Sequence, residues 1–232
     1  MTTIANNLKR IRAELAEAAT AAGRNPDAVQ LLAVSKTKPA EMVIEAMDAN
    51  QQHFGENTIQ DAQTKIPLLI DRKPTWHFIG HLQTNKAKFI PGQFQWLHTL
   101  DNLELARKLS SRLDKANENL NTLIQVNVTQ DEHKHGLMPD AVDAFMDQLM
   151  SAQLPGLQLR GLMTIGLQSH DTNELRKGFS DLRELRDRLA SRFDLPQFDQ
   201  LSMGMSGDYR EAIAEGATWV RIGSAIFGSR NK

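Results

Sequence analysis

What most restricts this chain is an alternation. From about residue 29 onward, short β-forming runs are separated by helical patterns, eight times over: Val29 to Ser35, Gln52 to Gly55, Trp76 to Gly80, Phe94 to Leu100, Thr122 to Val128, Leu157 to Ile165, Asp199 to Met203 and Thr218 to Ile222. Strands alternating with helices select a parallel sheet covered by its own crossovers. About 204 residues shared among eight units leave roughly 25 each, lean but sufficient for a TIM-type (β/α)8 barrel, an α/β fold. An open doubly wound sheet is the competing arrangement. Ahead of the first strand, Ile4, Leu8, Ile11, Leu15 and Ala18 recur at spacings of three and four, an amphipathic helix that ends near Gly23 and Pro26. One domain over 1–232 is expected, with a leading helix in 1–25 and the barrel in 29–230.

The punctuation between strands agrees. Asp101 with Glu104, and Asp171 with Glu174, have capping-box spacing, and Pro39 and Pro139 suit first helical positions. Two units are weak: the second strand is very short, and the helix after the third reduces to little more than Lys86 to Phe89.

Composition removes several function classes. Lys plus Arg total 27 against 28 Asp plus Glu, a net charge of -1, and aromatics are 6%, so neither nucleic acid nor an anionic membrane surface is an expected partner. The chain has no cysteine, which excludes disulfides, thiolate metal sites and a cysteine nucleophile and fits a reducing compartment. Residues Met1 to Leu15 mix Asn6, Asn7, Lys9, Arg10 and Arg12 with single apolar residues, unlike a signal peptide or membrane span. A cytoplasmic monomer is expected.

In barrels, chemistry gathers at the C-terminal ends of strands. Lys36 ends the first strand, and period two puts it on the face of Val34 and Leu32. If that face is interior, desolvation favours a neutral, nucleophilic amine able to form a Schiff base; otherwise Lys36 reaches solvent beside Lys38. After the seventh strand, Met203-Gly204-Met205-Ser206-Gly207-Asp208 enters a helix that runs to Gly216, so Ser206 falls at a helix N-terminus. With Gly223-Ser224 after the eighth strand, it makes a phosphate cradle where barrels often hold phosphate, or else an ordinary N-cap and a tight turn. Arg221 alternates with Val220 and Ile222 and projects inward, where it needs either an acidic partner or a cofactor atom. Gln125 and Asn127 likewise turn polar groups inward, opposite Ile124, Val126 and Val128. Asn57 is either a mouth residue or a helix cap.

No metal site is expected. His77 and His81 straddle a strand end, His133-Lys134-His135 reads as a solvated loop, and no carboxylate joins either group at a recognisable spacing. Walker-type and dinucleotide-binding glycine patterns are absent from the sequence.

Five segments, Leu32 to Lys38, Phe54 to Asn57, Trp76 to Lys86, Met203 to Asp208 and Arg221 to Gly228, together resemble the pyridoxal-phosphate homeostasis family, also called the proline synthase co-transcribed family, over nearly the whole chain. The resemblance implies a barrel similar to that of alanine racemase, with pyridoxal 5'-phosphate (PLP) as cofactor in a Schiff base with Lys36. By the same resemblance Asn57 lies near the cofactor, Ser206, Gly207, Gly223 and Ser224 bind its phosphate, and Arg221 meets the pyridine nitrogen. His81 and Lys134 fall near the mouth without an assigned role. An arginine at the ring nitrogen leaves it unprotonated and weakens the electron sink on which PLP enzymes depend. The chain also has no room for the second domain that completes related racemases, and Tyr209, its single tyrosine, is poorly placed as a second base. The expectation is therefore a non-catalytic carrier or buffer of PLP that serves vitamin B6 and amino-acid homeostasis, with PLP-dependent apo-enzymes as recipients. A racemase of low activity, or a phosphate-binding Schiff-base aldolase, is the alternative.

Overall fold

A computed structural model of the protein describes residues 3–129, 131, 134–166, 169 and 171–228. His133 and the end of the expected barrel, 229–230, lie outside them. Eight strands form a closed, wholly parallel barrel in chain order: β1 (Gln30–Val34), β2 (His53–Glu56), β3 (Thr75–Phe78), β4 (Trp96–Leu100), β5 (Leu120–Gln125), β6 (Leu157–Met163), β7 (Gln200–Ser202) and β8 (Trp219–Ile222). The pairing of Leu32 with Arg221 joins β1 to β8, which excludes the open sheet. The helices are α1 (Ile4–Ala21), α2 (Ala40–Asp48), α3 (Ile59–Lys65), α4 (Leu103–Ala116), α5 (Val142–Ala152), α6 (Thr172–Arg192), α7 (Tyr209–Ala214) and α8 (Ser224–Phe227). Between β3 and β4 the crossover is a 3₁₀ turn, Thr84–Phe89, in place of an α-helix. Among the described residues no helix is long and apolar enough to cross a membrane.

The main apolar core lies between strands and helices, where Ala33, Phe54, Phe78, Leu97, Leu162, Leu201 and Val220 are all buried. α1 completes this layer where the other helices are short. α7 has six residues and α8 four, too little surface to cover β7 and β8, so Leu8, Ile11 and Leu15 of α1 are buried against this side of the barrel. Polar bonds fix its position: Asn7 Nδ2 donates to the Ile226 carbonyl (2.9 Å), and the Arg12 guanidinium to the Ala49 carbonyl (2.8 Å) and Gln51 Oε1 (3.1 Å). The β6–β7 contact is equally close: a Cβ on Gly161 would stand 1.9 Å from the Gln200 carbonyl oxygen, so only glycine fits.

Two expected caps move by one residue. Asn102, not Asp101, caps α4: its backbone is extended and its Oδ1 accepts from Leu105 N–H (2.8 Å). Pro39 is the residue before α2, not its first. Asp171 caps α6 as expected, but Glu174 accepts from the Ser169 hydroxyl (2.7 Å) instead of closing a capping box.

The barrel interior is polar and aromatic. Trp219 of β8 contacts His53 of β2, His77 of β3 and Trp96 of β4, with ring centroids 4.9 to 5.5 Å apart; β4 stands opposite β8, so the two tryptophans meet across the barrel axis.

Candidate functional site

A cavity of about 570 Å³ opens at the C-terminal ends of the strands, within the range of small-molecule sites. Lys36, Asn57, Ser206, Gly207, Arg221, Gly223 and Ser224 all line it. Val34, Ile79, Met163 and Ile165 supply an apolar wall, and Gln125 a polar one.

Lys36 lies two residues beyond β1 and is half-buried, not enclosed as an interior strand position would be. A cluster that its sequence neighbourhood does not announce fixes its two neighbours. The Ser35 hydroxyl donates to Glu56 Oε1 (2.6 Å), and buried Lys65 donates to the Ser35 carbonyl (2.8 Å) and to Glu56 Oε1 (2.8 Å). Lys65 also pairs with Asp61 (3.1 Å), whose Oδ2 accepts from Thr37 N–H (2.6 Å). Thr37 has φ +62°, a left-handed conformation disfavoured for a β-branched residue, and this bond helps to hold it. Burial pushes the Glu56 carboxyl up to about 7 against the opposing pull of Lys65. The strained turn thus presents Lys36 from a braced backbone.

On the opposite side of the β1–β8 seam, α7 begins at Tyr209 with Asp208 as the residue before it, so Ser206 lies in the turn ahead of the expected helix N-terminus and the ordinary N-cap alternative fails. Asp208 Oδ1 accepts from Met205 N–H (2.6 Å) and closes a turn that displays Ser206 and Gly207 ahead of the helix. A Cβ on Gly207 would meet nothing within 4 Å. Gly223 precedes α8, and Ser224 is its first residue. The result is two hydroxyls and two glycine backbones around open space, a donor set suited to phosphate oxygens.

Arg221 is buried, at 5% exposure. Its Nη1 donates to Ser202 Oγ (2.9 Å) and its Nη2 to the Thr164 carbonyl (2.7 Å). Among the described residues no carboxylate comes within ion-pair distance, so the acidic-partner explanation fails; Asp208 attracts the charge only from farther away, while burial lowers the guanidinium to about 10. A buried cation held by neutral oxygens at a cavity wall leaves room for a ligand acceptor.

Behind Arg221 stands a column that the sequence does not reveal. Ser202 Oγ is hydrogen-bonded to His98 Nδ1 (2.9 Å), His98 Nε2 to His77 Nδ1 (2.9 Å), and His77 Nε2 to His53 Nδ1 (3.1 Å). Burial holds His77 and His98 well below the ordinary imidazole range. The available signal was that β2, β3 and β4 each carry a histidine.

Other expected mouth residues separate. Thr58, not Asn57, caps α3, which leaves Asn57 at the mouth; a Cβ on Gly80 would stand 1.9 Å from the Asn57 carbonyl oxygen, so glycine lets the loops after β2 and β3 touch. Gln125 Nε2 donates to the His135 carbonyl (3.1 Å), but Asn127 departs from expectation: it lies beyond β5, and its side chain clasps the following loop through the Asp131 carbonyl (2.8 Å). Lys134 shares that loop, outside the cavity wall, and its carbonyl accepts from Asn127 Nδ2 (3.4 Å). Tyr209 donates to Glu14 Oε2 of α1 (3.1 Å), away from the cavity.

His81 and His135 meet at the rim with Asp101, against the expectation that no carboxylate joins them; their ligand atoms lie within 4.8 Å of one another. The two imidazoles stack, centroids 3.9 Å apart and planes 8° apart, so their lone pairs run side by side. A single ion would require one ring to leave the stack.

Residues 6–231 match the family profile described as alanine racemase, N-terminal domain. The chain is 46% identical over 232 residues to the pyridoxal phosphate homeostasis protein of Pseudomonas aeruginosa, covering 100% of this chain and 97% of that one. The structure of PipY from Synechococcus elongatus with PLP bound superposes with a TM-score of 0.87 at 36% identity, over 97% of this chain and 100% of that one. Alanine racemase of Clostridium difficile, at 12% identity and TM-score 0.69 over 95% of this chain and 56% of that one, shares the fold.

Proposed function

The chain belongs to the pyridoxal phosphate homeostasis protein family, built on the alanine racemase N-terminal domain, and from that premise we propose that it binds PLP at the barrel mouth and carries or buffers it without turnover. The observation that carries this reading is the convergence on one cavity of a lysine, a hydroxyl-and-amide cradle and a buried arginine with no carboxylate. PLP, when bound, supplies an electrophilic aldehyde on an electron-withdrawing ring. Lys36 offers the amine for that aldehyde. Ser206, Gly207, Gly223 and Ser224 hold the phosphate, and Asn57 bounds the ring.

Arg221 donates to the ring nitrogen and, being permanently charged, keeps that nitrogen an unprotonated acceptor. Proton abstraction at a bound amino acid is then poorly supported, and Tyr209 is not placed to act as a second base, since its hydroxyl donates to Glu14 away from the cavity. This favours storage and release to PLP-dependent apo-enzymes, by a cytoplasmic monomer, over racemisation.

Borohydride reduction followed by peptide mapping tests the site. The label falls on Lys36, and Lys36→Ala abolishes it; a dominant label on Lys38 or Lys134 overturns the assignment. Amino-acid α-protons should exchange negligibly in heavy water with the purified holoprotein, whereas rapid exchange with net racemisation makes it an enzyme.

A further inference from the structure

The histidine column crosses the barrel from the cavity wall at Arg221 to His53, which borders a second cavity at the opposite face beside Arg12 and Gln51. None of its members beyond Arg221 has a part in holding PLP. We propose that the column sets the hydrogen-bond polarity at Arg221, with His98 acting through Ser202 as the positioning residue for the guanidinium. This rests on the reading that Arg221 faces the ring nitrogen.

The polarity follows from counting hydrogens. Arg221 can only donate, so Ser202 Oγ accepts from it. Ser202 is fully buried, and among the described residues its own hydrogen finds one acceptor, His98 Nδ1. A neutral His98 that accepts at Nδ1 carries its proton on Nε2 and donates to His77 Nδ1; His77 then donates from Nε2 to His53 Nδ1. Reversing the column makes Ser202 accept from both sides and strands its hydrogen in the interior, which costs free energy. The rings cannot readily reorient. Trp96 stacks on His77 at 5.4 Å and 6°, and Trp219 packs on the same ring at 4.9 Å. Ser202 is therefore committed as a donor to His98, so its lone pair points at Nη1. With the Thr164 carbonyl on Nη2, this fixes the guanidinium plane and leaves its remaining donors to the cavity.

Two measurements test this, and the first needs no cofactor. In the apo protein labelled with nitrogen-15 histidine, long-range proton–nitrogen correlation should find the proton on Nε2 of His98 and of His77; a proton on Nδ1 of His98 overturns the proposal. The second compares binding of PLP with that of its analogue carrying C–H in place of the ring nitrogen. Wild type should prefer PLP by about tenfold, the scale of one charged hydrogen bond. Ser202→Ala and His98→Leu should bring the ratio close to one, while His98→Asn, whose Oδ1 accepts where Nδ1 did, should restore it. A wild type without preference overturns the placement of Arg221 at the ring nitrogen and this proposal with it. A preference retained in Ser202→Ala overturns the proposal alone.

Discussion

Gly207 and Gly80 separate two reasons for a glycine at the site. A Cβ on Gly207 would enter empty space, so Gly207→Ala should change stability by no more than about 0.5 kcal/mol yet weaken PLP, because the methyl group occupies the phosphate side of the cavity. A Cβ on Gly80 would collide with the Asn57 backbone, so Gly80→Ala should cost about 1–3 kcal/mol in urea unfolding. Replacing Ser206 and Ser224 together with Ala should weaken PLP more than pyridoxal, since each bond to the phosphate is worth about 1.5–3 kcal/mol; equal losses would mean that the serines only shape the loops. These residues were legible because they sit in compact segments at strand ends. His53, His77 and His98 were not, since partners more than twenty positions apart meet only when the barrel closes. Lys65 was missed because its three oxygens come together only in the fold: Ser35 from the turn after β1, Glu56 from β2 and Asp61 from its own helix α3.

At the scale of elements, the strands were readable because each is a short apolar run bounded by turn residues, but their ends depend on partners. β5 stops at Gln125 because Asn127 N–H turns to the Leu137 carbonyl (2.8 Å), away from β6. α1 was readable from its periodicity, while its purpose was not: it covers the side where α7 and α8 are short. Leu8 is fully buried, so Leu8→Ala should destabilise the protein by about 2–5 kcal/mol. Asn7→Ala, which frees the Ile226 carbonyl of α8, should cost about 0.5–1.5 kcal/mol. Denaturant midpoints of the two variants measure this order, and an indifferent Leu8→Ala would show that α1 is not part of the cooperative unit.

The molecule as a whole carries opposing titrations. The Glu56 carboxyl, raised from 4.5 to about 7, retains in the folded chain a proton that the unfolded chain has released, so its stabilising contribution is lost as pH rises through that window, by about 3 kcal/mol in all. His53, His77 and His98 are lowered by burial, so the unfolded chain takes up protons that the folded one refuses, and stability falls as pH drops below 6.5. Each such proton is worth about 1.4 kcal/mol per pH unit. His77 and His98, held well below 6.5, together outweigh the one carboxyl, so urea midpoints should climb from pH 5 to about 6.5 and then decline as pH passes through about 7. Glu56→Gln should flatten the decline, and a wild-type midpoint that still rises at pH 8 would contradict this balance. The cavity also lies on a seam: Val34 ends β1 and Lys36 follows it, Arg221 lies in β8 and Gly223 and Ser224 follow that, and the two strands touch because residues 30–33 pair with 219–222. The amine and the arginine with half of the cradle thus come from segments far apart in the chain. A molecule seated in the cavity consequently clasps the first strand to the last and stabilises only chains whose barrel has closed.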